Sequence, residues 1–141
     1  MTAPRIVQPE SWPRPRGYAN GVLAPPGARL LFIAGQIGWD ERERLVAEDF
    51  SAQFERALAN VLEVVTATGG SAGDLVRLTI YVVDRQEYAA ARQQLGEAWQ
   101  RLLGGHYPAI TLVEVAGLLE PGAKVEIEGV AALVEEDRHA D

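Results

Sequence analysis

Cysteine is absent from the chain, which excludes disulfides, thiolate zinc sites and cysteine nucleophiles. Histidine is scarce: His106 and His139 are the two present. They lie far apart, and His139 falls in a polar stretch, so a metal centre would rest almost wholly on carboxylates and none is expected. A basic cluster is also missing. The 13 lysines and arginines are scattered and outnumbered by 20 acids, for a net charge of −7. A nucleic-acid surface needs a basic stripe to neutralise phosphates, so no nucleic-acid partner is expected. No run approaches the roughly 18 to 20 apolar residues that cross a bilayer. The segment up to Arg16 lacks an apolar core of signal-peptide length. A cytoplasmic protein without a membrane partner is the expectation.

What is present suits one domain. A chain of 141 residues, 48% hydrophobic and 23% charged, can bury a sizeable core. Residues 1–16 carry four of the eight prolines and read as an irregular arm; residues 17–134 form the domain; residues 135–141 form a polar tail. Asn20–Ala24 and Arg29–Gly35 flank Pro25-Pro26-Gly27, a turn signal that suggests a hairpin. Asp49 can cap a helix whose Phe50, Phe54, Leu58, Val61, Leu62 and Val65 recur at helical spacing as far as Gly69-Gly70. Leu75–Val83 is β-branched and aromatic and reads as a strand. Asp84 and Glu87 make a capping box for a second helix ending at Gly104-Gly105. Ala109–Leu118 and Lys124–Leu133 are the last strands.

The order β-β-α-β-α-β-β predicts an α/β (α+β) domain: a mixed sheet with both helices on one face, given right-handed crossovers. On Ala109–Leu118 both alternating sets are apolar apart from Thr111 and Glu114, as in a strand covered on both sides. A monomer would leave one set bare, so the open sheet face is expected to seat further copies of the chain. On the final strand Glu126 and Glu128 share a face, because side chains alternate. Partly desolvated there, a carboxylate could exchange protons near neutrality. Alternatively, both are exposed strand residues that aid solubility. Gly35, at a strand end, either admits a ligand to backbone amides or serves a turn. Tyr18 either donates into a cleft or packs.

Certain residues, taken in order, resemble one known family across nearly all of 17–134. They are Gly17-Tyr18, Phe32-Ile33-Ala34-Gly35-Gln36-Ile37-Gly38, Asp49 with Gln53, and Ala57-Leu58-Ala59-Asn60-Val61. Further along come Asp74-Leu75-Val76-Arg77-Leu78-Thr79, Tyr107-Pro108-Ala109 and Val125-Glu126-Ile127-Glu128. Each is weak singly, and the set is specific in this order and spacing. The chain is similar to the RidA (YjgF) family. The resemblance implies a chorismate-mutase-like fold assembled as a homotrimer, with sheets in a central barrel and small-molecule clefts between subunits. It implies hydrolysis of reactive enamines and imines to a carbonyl product and ammonia, without a cofactor. It assigns Glu126 the water-holding and proton-transferring role, and places Tyr18, Gly35 and Ala109 at the cleft.

The departure from the family pattern is Ile110. After Pro-Ala, deaminating members carry an arginine that grips the substrate carboxylate, and isoleucine has no donor. Losing such a clamp in a desolvated cleft costs on the order of 3 to 5 kcal/mol. Arg92 stands where many relatives carry asparagine. Either a displaced cation, Arg92 or Arg16, grips a differently placed acid, or the cleft takes a neutral ligand. A hydrolase with a substrate other than 2-aminoacrylate is therefore expected, against the alternative of a non-catalytic ligand binder or chaperone-like protein.

Overall fold

The computed structural model describes residues 3–135. Its first helix, α1 (Phe50–Ala67), begins where expected: the Asp49 carboxylate accepts the Ala52 N–H at 3.0 Å, satisfying one open donor of the first turn. Phe50, Phe54, Ala57, Leu58, Val61 and Val65 turn one apolar stripe inward and are buried. Each large side chain so buried contributes about 1.5 to 3 kcal/mol relative to exposure. The stripe lies on a four-stranded mixed sheet in the order β3-β6-β4-β5: β3 (Arg29–Gln36), β4 (Leu75–Val82), β5 (Ala109–Glu114) and β6 (Val125–Leu133). Only β4 and β5 run parallel. The helices α2 (Arg85–Ala90) and α3 (Arg92–Leu103) form the crossover between them. One core holds Leu58 and Val61 of α1, Leu95 and Trp99 of α3, and the inward residues Leu78, Ile80, Val125 and Ile127. Both helical segments thus cover the same sheet face.

Five expectations change in detail. Asn20–Ala24 and Arg29–Gly35 do not pair as a hairpin. The short strand β2 (Gly21–Leu23) pairs instead with β1 (Arg5–Val7), and β3 pairs with β6. Pro25 and Pro26 lack N–H groups and cannot extend a ladder, so they close a turn in which the Ala28 N–H donates to Pro25 O at 3.2 Å. The N-terminal arm accordingly contains a strand and is not wholly irregular. The second helix is interrupted at Ala91, whose N–H is shared between the Glu87 and Tyr88 carbonyls, each 3.1 Å away. Asp84 caps it through the Gln86 N–H, but Glu87 reaches Lys124 Nζ at 3.2 Å instead of closing a capping box. Finally, β5 stops at Glu114.

Of the expected polar tail, Glu135 pairs with Arg29 at 2.8 Å, and residues 136–141 lie outside the described residues. No helix among the described residues is long and apolar enough to cross a membrane. The sheet face away from the helices is uncovered within one chain: Phe32 is 74% exposed and Leu30 53%.

Candidate functional site

On β6, Val125, Ile127 and Ala131 point into the core, so Glu126 and Glu128 project from the open face, as alternation requires. The pairing of β3 with β6 slips between Ile33 and Gln36, a β-bulge that sets Ala34 and Gly35 against the glutamate strand. Gly35 is there for space. A Cβ built on it would lie 2.7 Å from Glu126 Cδ and 2.9 Å from Cγ, closer than atoms can approach. The half-buried Glu126 carboxylate therefore rests against a bare backbone. Among the described residues it has no hydrogen-bond or ion-pair partner.

The neighbouring carboxylate is differently placed. Tyr81 lies directly opposite Glu126 in the β4–β6 register, and its hydroxyl donates to Glu128 Oε2 at 3.0 Å. That hydrogen bond raises the Tyr81 pKa above the ordinary phenol value, helped by desolvation and by the Glu128 charge. The phenol thus stays a neutral donor, tying Glu128 while Glu126 remains free. Thr79, opposite Glu128, is 6% exposed, and its buried hydroxyl has no partner among the described residues.

The other expected site residues lie elsewhere. Gly17, at φ 79°, turns the chain in a left-handed conformation that favours glycine, and carries Tyr18 alongside the start of β5. There Ala19 bridges to Ala109 and donates its N–H to Pro108 O at 3.0 Å. Tyr18 and Ala109 are therefore neighbours at the sheet edge. Ile110 pairs with Leu78 and packs against the core, on the face opposite Glu126. Arg92 is exposed at the start of α3, its guanidinium 6.0 Å from the Tyr88 ring centre, in the helix layer. Gly35 on β3 and Ala109 on β5 are three strand spacings apart, roughly 14 Å. One chain joins Glu126 with Gly35, and Tyr18 with Ala109, but does not join the two pairs.

Two recesses stand out. The larger, about 760 Å³, lies between Arg29, Gly70, Asp74 and Glu135, away from Glu126. The smaller, about 390 Å³, lies on the open face beside the bulge. It holds Thr79, Arg77 and Glu128. Glu128 was expected beside Glu126, whereas Arg77, Thr79 and Tyr81 were missed as site candidates. Alternation along Leu75–Val82 could have placed Arg77, Thr79 and Tyr81 on one face, but nothing local shows that β4 pairs with the glutamate strand. Among the described residues no group of three or more histidines or carboxylates gathers as a metal site.

A family profile described as Endoribonuclease L-PSP matches residues 14–133. The chain is 37% identical over 102 residues to the 2-iminobutanoate/2-iminopropanoate deaminase of Salmonella typhimurium, covering 72% of this chain and 78% of that one. The Escherichia coli K12 protein of the same name is 33% identical over 114 residues, covering 81% and 85%. Among solved structures, the Rid-family protein YyfB of Yersinia pestis superposes with a TM-score of 0.80 at 31% identity, covering 93% of this chain and 99% of its own. Escherichia coli TdcF with bound serine superposes at 0.67 with 28% identity, covering 92% and 99%. Fold, motif order and these matches agree: the chain belongs to the RidA (YjgF) family.

Proposed function

We propose that the protein is a cofactor-independent imine and enamine deaminase, with Glu126 as its catalytic residue. The observation that carries this reading is the unpartnered Glu126 carboxylate against the bulge at Gly35. An enamine first takes a proton at carbon to become an imine. Water attacks the imine carbon while Glu126 accepts a proton from it. Returning that proton to nitrogen gives the carbinolamine; Glu126 then carries the new hydroxyl's proton to the same nitrogen, the C–N bond breaks and ammonia leaves as the carbonyl forms, so one imine and one water give one carbonyl and one ammonia. Exposed backbone at the bulge gives the substrate a close approach, and Tyr81 keeps the second carboxylate out of the reaction.

The names of the Salmonella and E. coli relatives support this chemistry. No arginine follows Pro108-Ala109, so the carboxylate grip that the family resemblance implies is missing, which favours a substrate other than the small 2-imino acids in those names. The separation of Tyr18 and Ala109 from Glu126 supports a homotrimer in which a neighbouring copy completes the cleft. Action on RNA, which the family description suggests, has no support in an acidic chain without a basic groove. Replacing Glu126→Gln should lower ammonia release from freshly generated imines by at least about a hundredfold while the assembly stays intact. Unchanged turnover in that variant refutes the assignment; no turnover of any imine by the wild type favours the ligand-binding alternative.

A further inference from the structure

The recess beside the bulge extends the Glu126 site along the open face. It begins at Ala34, next to Gly35, runs past Glu128 and the buried Thr79 hydroxyl, and ends at Arg77, with Phe32 and Val130 as its apolar flank. Three observations give it direction. Arg77 is the one cation on this face among the described residues of the four main strands, and no ion pair or hydrogen bond engages its guanidinium. The Thr79 hydroxyl is buried without a partner, a state that costs stability unless something fills it. Glu128, midway along the recess, is held by the Tyr81 hydroxyl, so the guanidinium of Arg77 at the far end is the group that an anion would seek.

Register gives the length. Arg77 pairs with Val130, four residues along β6 from Glu126. At about 3.3 Å per residue the two backbones are roughly 13 Å apart along the strand, and both side chains can lean into the gap. From the reaction centre at Glu126, a molecule a few bonds long would meet Thr79 midway and Arg77 at its far end. The expected displaced cation is then neither Arg92, which lies in the helix layer, nor Arg16 of the arm.

Resting on the deaminase reading above, we propose that Arg77 is the specificity-determining residue and that the substrate is an imine or enamine with a remote carboxylate. That carboxylate lies several bonds from the reacting carbon. The guanidinium takes it as a two-pronged ion pair, and the Thr79 hydroxyl donates to the chain or to the same carboxylate. Ile110 is then no defect, since the acid is held from a different strand and on a different face. A neighbouring copy over the groove excludes water and strengthens the pair.

The test compares imines made in situ by amino-acid oxidases from glutamate, from 2-aminoadipate and from leucine, which matches them in size but lacks the second carboxylate. The wild type should show a kcat/KM at least tenfold higher on the two dicarboxylate imines than on the leucine imine. Arg77→Met should lose roughly ten- to hundredfold on the dicarboxylate imines, stay within twofold on the leucine imine, and be partly rescued by Arg77→Lys. Equal losses on all three imines, no loss on any, or a wild-type preference for the leucine imine overturns the proposal. Calorimetry with adipate, which cannot react, separates the two claims. Adipate should bind wild type and Glu126→Gln alike and Arg77→Met weakly. Adipate binding that survives Arg77→Met sinks the anion seat, whereas full turnover by Glu126→Gln sinks the reaction assignment and leaves the seat standing.

Discussion

At the scale of single residues, the site depends on what is left out as much as on what is present. Gly35 leaves room for the Glu126 carboxylate, and any Cβ there meets the flexible end of that side chain instead of backbone. Gly35→Ala should therefore fold normally, shift the carboxylate off the bulge and lower kcat on every imine by at least about tenfold. Parallel measurement of the thermal midpoint checks this, and a large drop in stability with unchanged kcat per folded molecule contradicts it. The two glutamates were legible as a pair from alternation alone. Their division of labour was not, because it depends on Tyr81, which lies 45 residues before Glu126 in sequence and opposite it in the sheet.

At the scale of elements, the segments that carry Glu126 and the bulge are held by one buried amide. Gln53, on α1, is fully buried. Its Nε2 donates to Ala47 O at 2.9 Å and Gly122 O at 3.1 Å, and its Oε1 accepts the Lys124 N–H at 2.8 Å. It thus joins the loop after β3 to the turn that launches β6, two residues before Glu126. Gln53→Ala strands these backbone groups and leaves a cavity, at a cost of about 2 to 4 kcal/mol in urea unfolding. A cost below about 1 kcal/mol would mean that water replaces the amide. Helix α1 was readable because cap and stripe are local signals. The β2–β3 hairpin was misread because a turn signal between two apolar runs does not say which strand each run pairs with. β3 finds its partner β6 about 100 residues away, where the longer ladder and the core face win.

For the whole molecule, the decisive feature is the uncovered sheet face. Phe32, Leu30 and Val113 stand exposed on it beside the Glu126 groove, while the Tyr18 and Ala109 edge lies across the sheet. Copies closing on this face would bury the apolar side chains and bring a Tyr18 edge to each Glu126. Sedimentation should show a trimer at micromolar concentration, and Phe32→Lys should weaken it, with activity falling in step. A wild type that is active as a single chain contradicts that arrangement.

Composition and periodicity were enough to establish a single acidic α/β domain, two helices over one sheet face, the cap at Asp49 and the paired glutamates, because each arises from neighbours within a few residues. The motif order was enough to point to the family. Long-range pairing alone decided that Tyr81 lies against Glu126, that Ile110 faces the core, that the bulge at Gly35 receives a carboxylate, and that Arg77 closes the same groove. Strand register is set by where the largest apolar area is buried across the whole chain, and no local stretch of residues contains that information.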